Sequence, residues 1–144
     1  MPIPPLTSDG LLPVGVHECT LDEIKSVFGP YGRRRSLYLR LVEFLEAAMK
    51  SGLVLEVIVD GSFVTSALEP GDIDLAIAVR ERNETGLLRP IEYNVLSKRR
   101  VKKKYDFDIL AAPVGSPEFH AHVEFFSQVK SRPGVMKGVL RVIV

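Results

Sequence analysis

Two runs of sequence decide the fold: Leu53-Val-Leu-Glu-Val-Ile-Val-Asp-Gly-Ser62 and, after nine intervening residues, Asp72-Ile-Asp-Leu-Ala-Ile-Ala-Val79. The first run is almost wholly apolar as far as Val59 and rich in β-branched residues, which predicts a strand covered on both faces. It ends in a turn at residues 60–62. The second run predicts another strand that opens with two aspartates. Together they predict the centre of a sheet.

The periodicity of the flanking sequence predicts helices and two further strands. Residues 1–16 are rich in proline and glycine and are expected to be loosely ordered, which leaves one domain over residues 17–144. The chain is thus predicted to be an α/β (α+β) domain with a mixed sheet of about four strands packed against helices. Helices are expected over four segments: from the capping box of Thr20 and Glu23 to Gly29, and over residues 33–50, 90–100 and 116–128. Two further strands are expected over residues 104–112 and 138–144, and a loop is expected over residues 80–89.

Composition limits the class of protein. The 144 residues are 46% hydrophobic, enough for one buried core, and the net charge of 19 − 18 = +1 indicates no particular partner. A single cysteine, Cys19, excludes an internal disulfide and a cysteine-rich zinc site. No apolar run is long enough for a membrane helix, and the N-terminus lacks a signal-peptide pattern. We expect a cytoplasmic protein with no membrane partner.

The two aspartates of the second run are the main candidate site. Aspartate is depleted in strands, and Asp72 and Asp74, two residues apart, lie on the same side. Neighbouring carboxylates repel each other and lose solvation unless a cation offsets the charge, and Mg²⁺ prefers such oxygen ligands. Taken alone, however, an Asp-x-Asp pair is more often a solvated strand edge.

Two further features accompany this pair. Gly61 permits a tight turn in which backbone N–H groups approach an anion closely, and Ser62 adds a hydroxyl. Asp106 and Asp108 share one face of the third predicted strand. Asp108 is favoured as a third carboxylate because it directly precedes an apolar run, and Asp106 is the alternative.

A basic run at residues 98–104 contains six cations in seven positions and precedes the third predicted strand. It predicts either an electropositive rim that attracts a triphosphate, a nucleic acid or an acidic partner, or a solvated loop. Lys102 and Lys104 are its candidate anion-binding residues. The second basic run, Arg33-Arg34-Arg35, opens a predicted helix and is expected to be surface.

Gly61-Ser62, the nine-residue spacing, Asp72-Ile73-Asp74 and a later strand aspartate resemble the signature of the DNA polymerase β-like nucleotidyltransferase superfamily. Within it the chain is similar to a group of short prokaryotic members. The resemblance implies that Asp72, Asp74 and Asp108 hold two Mg²⁺ ions and that Gly61 and Ser62 contact the phosphates of a nucleoside triphosphate. A nucleoside monophosphate would pass to a hydroxyl acceptor, which could be a protein.

The chain also departs from that superfamily. Phe63-Val64-Thr65 stands where many small members carry an arginine, and the helical domains that position nucleic-acid acceptors in larger relatives are missing. These departures leave an alternative open: a nucleotidyltransferase-fold binding component of a toxin–antitoxin or phage-defence pair, with a protein partner encoded nearby. A third hypothesis is an RNA-binding module that uses residues 98–104.

Overall fold

The computed structural model describes residues 3–80 and 89–144. No helix within these residues is both long and apolar enough to span a membrane. The elements in chain order are β1 (Val16–Glu18), α1 (Leu21–Phe28), α2 (Gly32–Ser51), β2 (Val54–Asp60), a 3₁₀ turn (Ser62–Val64), β3 (Asp74–Val79), α3 (Pro90–Leu96), α4 (Lys98–Tyr105), β4 (Asp108–Pro113), α5 (Pro117–Phe126) and β5 (Val139–Ile143).

The strands form one open mixed sheet in the order β1-β5-β2-β3-β4. β2 is antiparallel to both of its neighbours, β3 and β5, whereas β1 is parallel to β5 and β4 is parallel to β3. The predicted single α+β domain with a mixed sheet is confirmed. The predicted number of strands is wrong, because five strands occur in the described residues. The additional strand is β1, which has only three residues and no apolar run that could have indicated it.

The N-terminal segment, predicted to be loosely ordered over residues 1–16, is held by backbone hydrogen bonds to Ser66 and to Gly138, the residue before β5. The Leu12 carbonyl accepts from the Gly138 N–H, and the Gly10 carbonyl accepts from the Ser66 N–H. Leu12 is 2% exposed. Proline and glycine do keep residues 3–15 free of helix and strand. Composition could not indicate these partners, because they lie far along the chain.

Helices cover both faces of the sheet, as the apolar run in β2 predicts. Alternate side chains of β2 point to opposite faces. Val57 and Val59 join the larger core with α1, α2, α3 and α4, while Ile58 joins a smaller core with Phe119 and Phe126 of α5. The central strands of the sheet are thus packed on both faces.

Two predicted boundaries near that end are corrected. The helix predicted over 90–100 is two helices, α3 and α4, divided at Ser97, whose hydroxyl caps α4 by accepting from the Arg100 N–H. The third strand, predicted from residue 104, begins at Asp108 because α4 continues to Tyr105 and buries its apolar residues, Val101 and Tyr105. Lysine and arginine are good helix formers, so the basic run is helix rather than loop.

The loop predicted over residues 80–89 falls mostly on residues 81–88, outside the part of the chain that the structure describes.

Candidate active site

Four aspartates lie at one end of the three strands β2, β3 and β4. The strand register pairs Asp60 with Asp74, and Asp74 with Asp108, across neighbouring strands. Asp72 lies two residues before Asp74 and just outside β3, which begins at Asp74 rather than at residue 72 as predicted. The structure therefore brings together the three carboxylates predicted from sequence and adds Asp60, which had been interpreted only as part of a turn.

Gly61 makes the turn between β2 and this cluster. Its φ of +95° is a conformation that residues with side chains rarely adopt. A Cβ at this position would lie 2.9 Å from the Asp72 carbonyl oxygen and 3.0 Å from the Asp74 backbone nitrogen. The glycine is therefore required because the backbone of the turn passes directly against the backbone that carries the two aspartates.

Ser62 orients the carboxylate of Asp72. Its hydroxyl donates to Asp72 Oδ1 at 2.6 Å, and its backbone N–H donates to the same oxygen at 2.8 Å. The hydroxyl also accepts from the Gly71 N–H at 2.9 Å. Partial burial raises the pKa of Asp72, but the two hydrogen bonds from Ser62 and the positive charges of Lys130 and Lys102 together lower it overall. Asp72 is thus held as an anion, and it engages the hydroxyl of Ser62, which was predicted to contact a phosphate.

Asp74 is the most perturbed acid of the cluster. It is 9% exposed, and burial together with the negative charges of Asp72, Asp60 and Asp108 raises its pKa to about 6. Lys130 opposes the shift only in part. A buried carboxylate with a raised pKa indicates a site where negative charge is poorly balanced, and such sites attract cations.

Asp60 has its own counter-ion. The Lys137 ammonium forms a salt bridge with Asp60 Oδ1, and both side chains are largely buried. Burial raises the pKa of Asp60, and Lys137 opposes that rise. These two residues are 77 positions apart. No spacing in the sequence therefore indicates the pair.

Asp108 is the exposed member of the cluster. Its side chain is 70% exposed, and the Lys102 ammonium lies 3.6 Å from Asp108 and 3.5 Å from Asp106. Asp106 ends α4 in a left-handed conformation with φ +63° and lies outside the strand. Asp108, the favoured third carboxylate, is thus the one beside Asp74. Lys104 lies elsewhere, with its ammonium 5.4 Å from the centre of the Tyr105 ring.

The chemistry of these side chains suits Mg²⁺, although their present arrangement does not hold it. All four offer carboxylate oxygens, the ligands that a hard cation prefers. In the described part of the chain, however, no three His, Cys, Asp or Glu residues are grouped so as to hold a metal ion. Asp72 accepts a hydrogen bond from Ser62. Asp108 forms a salt bridge with Lys102, and Asp60 forms one with Lys137. Because Asp72 and Asp108 are exposed, rotation of two surface side chains would change this arrangement.

A cavity of about 210 Å³ adjoins Asp74 and Asp108. Two lysines, Lys98 from α4 and Lys130 from the segment after α5, line it together with Phe125 and Phe126. Sequence reasoning named neither lysine as a site residue. Lys98 belongs to the basic run, in which Lys102 and Lys104 are the predicted anion-binding residues. Lys130 is an isolated lysine with no motif around it.

Arg33 and Arg34 support the loop that joins the Gly61-Ser62 turn to Asp72, so the prediction that they are surface residues is wrong. Arg34 donates to the carbonyls of Phe63, at 2.6 Å, Thr65, at 2.6 Å, and Ala67. Arg33 donates to the carbonyls of Pro70, at 3.2 Å, and Gly71, at 3.0 Å. A run of arginines at a helix start looks solvated in sequence, because the loop carbonyls that Arg33 and Arg34 bind lie 29 to 38 residues away.

A family model described as a family of unknown function, DUF6932, matches residues 4–143. The chain belongs to the DUF6932 family. Searches of curated proteins and of solved structures gave no match. The DUF6932 match includes the N-terminal segment as well as the sheet and the aspartate cluster. The likeness to nucleotidyltransferases rests on the motif residues alone and stays a prediction.

Proposed function

We propose that this DUF6932 protein is a minimal nucleotidyltransferase, which transfers a nucleoside monophosphate from a magnesium-bound nucleoside triphosphate to a hydroxyl acceptor. The observation that carries the proposal is the strand register that places Asp74 beside Asp108. Asp72 lies two residues before Asp74, just outside the start of β3. The raised pKa of Asp74 supports the proposal, because a cation would offset both causes of the shift, the burial of the carboxylate and its repulsion by Asp72.

In this proposal Asp72, Asp74 and Asp108 would hold two Mg²⁺ ions, which would stabilise the attacking and leaving oxygens of displacement at the α-phosphate. The acceptor oxygen would bond to the α-phosphorus as the bond to the β-phosphate breaks and pyrophosphate leaves, and Asp108 would help to remove the proton of the acceptor hydroxyl. Ser62 keeps Asp72 ionised and oriented through its two hydrogen bonds. Asp108 must leave Lys102 before it can act as a ligand. The released ammonium of Lys102 is then available to the phosphates.

Positive charge for the triphosphate is available without the arginine that many small nucleotidyltransferases carry after Gly-Ser. Lys98 and Lys130 line the cavity beside Asp74 and Asp108. Flexible lysines attract phosphate as point charges rather than as a rigid two-pronged donor. We therefore expect weaker and less selective phosphate binding than an arginine in the turn would give.

The test is calorimetric titration with Mg²⁺-ATP, GTP, CTP and UTP, followed by transfer of an α-labelled phosphate to protein and RNA acceptors. We expect saturable binding of at least one nucleotide, lost in Asp72→Asn plus Asp74→Asn and lost with EDTA. Glu43→Gln plus Glu46→Gln, exposed on α2, is the matched control and should bind as the unchanged protein does. Binding of none of the four nucleotides by folded protein would reject the proposal.

A second candidate function is a nucleotidyltransferase-fold binding component that acts through a partner protein encoded nearby. The observation that favours it is that Asp72, Asp108 and Asp60 each already have a partner within the chain. Under this function, Asp72→Asn plus Asp74→Asn would leave the biological effect of co-expression with the neighbouring gene unchanged. Loss of that effect, with folding preserved, would reject it.

A further inference from the structure

Helix α4 divides the basic run into two separate surfaces. Lys98 and Lys102, one turn apart, lie on the side of the aspartate cluster. The other four cations lie along a groove on a different side of α4, which has a volume of about 710 Å³. We call this the basic groove; it is lined by Tyr93, Asn94, Ser97, Arg99, Arg100, Lys103 and Lys104.

The basic groove carries charge that the described residues do not balance. No carboxylate is among its lining residues, and none of its four cations forms an ion pair within residues 3–80 and 89–144. Lysines in the last turn of a helix are favoured by the helix dipole, so Lys103 and Lys104 have a structural explanation. Arg99 and Arg100 lie in the first turn, where the dipole disfavours cations. A ligand with negative charge explains all four.

One wall of the groove carries an arginine that lies over a tyrosine ring, the Tyr93–Arg100 stack. The Arg100 guanidinium lies 4.5 Å from the centre of the Tyr93 ring, and its Nη1 donates to Asn94 Oδ1 at 2.9 Å. Tyr93 is 44% exposed. Aromatic rings and guanidinium planes are the surfaces on which unpaired bases stack. An acidic peptide would account for the cations but would leave this exposed stack without a role.

We propose that the basic groove binds single-stranded nucleic acid. Arg99, Lys103 and Lys104 contact successive phosphates, and a base lies against the Tyr93–Arg100 stack. The strand must be unpaired because the bases of a duplex are already stacked on one another. A membrane surface is a poorer match, since the apolar residues of α4, Val101 and Tyr105, are buried in the core. The inference is independent of nucleotidyl transfer, because it uses none of the aspartates.

The experiment follows binding of a labelled oligouridylate of 12 nucleotides to the protein by fluorescence anisotropy, between about 50 and 300 mM salt. EDTA is present so that no metal contributes to binding. Lys103→Gln plus Lys104→Gln should weaken binding at low salt by roughly tenfold or more and reduce the slope of log K against log salt by about 1.4, at about 0.7 for each phosphate contact. Lys25→Gln plus Lys50→Gln, exposed on α1 and α2, is the control of equal charge and should change affinity less than about twofold.

A separate variant tests stacking rather than charge. Tyr93→Leu should weaken binding by about fivefold or more without changing the salt slope, since stacking contributes at least about 1 kcal/mol for each base. All substituted side chains are exposed, and circular dichroism checks that each variant is folded.

Four outcomes would overturn the proposal: no binding at the lowest salt, equal losses in the groove and control variants, unchanged affinity in Tyr93→Leu, or equal competition by duplex RNA or polyglutamate. Binding of an oligothymidylate with the same variant pattern would support it, because the groove is proposed to select single strands.

Discussion

Asp60 and Asp74 face each other across β2 and β3, both buried, yet their surroundings differ in one respect. Asp60 has a buried lysine partner, Lys137, within the chain. Asp74 has other carboxylates as neighbours and only partial opposition from Lys130. Burial raises the pKa of both acids. A fold can therefore neutralise a buried acid at this strand end, and it does so at one position but not at the position beside it.

From this difference we infer a structural role for Asp60 and a place in the candidate site for Asp74. A buried ion pair such as Asp60–Lys137 fixes two distant parts of the chain, β2 and the segment before β5. An acid left with like charges lowers stability, and such acids are concentrated at sites that bind or react. On this comparison Asp74, rather than Asp60, is the centre of the candidate site.

The largest expected effect comes from removing the counter-ion of Asp60. Lys137→Met leaves a buried carboxylate unpaired and should lower the free energy of unfolding by about 3–5 kcal/mol at pH 7. Urea unfolding followed by circular dichroism measures it. Lys25→Met, which alters an exposed lysine of α1 far from the aspartates, should change stability by less than about 1 kcal/mol.

The paired variant Asp60→Asn plus Lys137→Met distinguishes charge from packing. It should recover most of the lost stability, because no buried charge remains. If the double variant were as unstable as Lys137→Met alone, the lysine stem rather than the ion pair would be what matters. The contrast between Asp60 and Asp74 would then lose its electrostatic basis.

The next effect has the opposite sign. In EDTA, Asp74→Asn should raise the free energy of unfolding at pH 7 by roughly 1–3 kcal/mol, because the wild-type acid must be ionised there at the expense of the fold. Since the folded-state pKa of about 6 lies above the ordinary value of 3.8, the acid favours the fold when protonated. That contribution is complete below pH 3.8 and is lost as the pH rises through 6.

The gain from Asp74→Asn should therefore be absent near pH 3.5 and fully developed by pH 7. Stability curves at both pH values check it, with Glu46→Gln on the exposed face of α2 as the control of equal charge change. Adding Mg²⁺ should stabilise the wild type more than the variant, if the ion binds the cluster. If Asp74→Asn were less stable than the wild type at pH 7 in EDTA, the ionised carboxylate of Asp74 would not be destabilising the fold, contrary to the prediction.

Much of the fold was predictable because it depends on local patterns. Apolar β-branched runs indicated β2 and β3, and Thr20 with Glu23 correctly indicated the start of α1. The boundaries that were wrong depend on distant packing: α4 continues through the basic run because Val101 and Tyr105 reach the core. Strand β1 has three residues and exists only because β5 lies beside it.

The candidate site divides in the same way. Gly61, Ser62, Asp72, Asp74 and Asp108 were found from sequence because the glycine turn and the two strand entries are local signals. Lys137 and the two arginines that bind the loop carbonyls were not found, because their contacts join residues about 30 to 77 positions apart. Spacing indicates which residues can do chemistry. It does not indicate which distant side chains neutralise or support them.

The smallest expected effect concerns Asp72, which differs from both buried acids because hydrogen bonds lower its pKa. Ser62→Ala removes the hydroxyl donor at 2.6 Å but leaves the backbone donor at 2.8 Å. We expect a loss of about 1 kcal/mol at pH 7, smaller than for a buried charged hydrogen bond because Asp72 is exposed to water. Since the folded-state pKa lies below 3.8, the loss should be fully present above that value and should fade as the pH falls through the pKa of Asp72.

Carboxyl chemical shifts should show that pKa rising in Ser62→Ala and unchanged in Ser36→Ala, an exposed serine of α2. An unchanged pKa in Ser62→Ala would mean that the backbone N–H and the nearby lysines hold Asp72 as an anion without the hydroxyl. The serine of the Gly-Ser turn would then have to be explained by a ligand rather than by this aspartate.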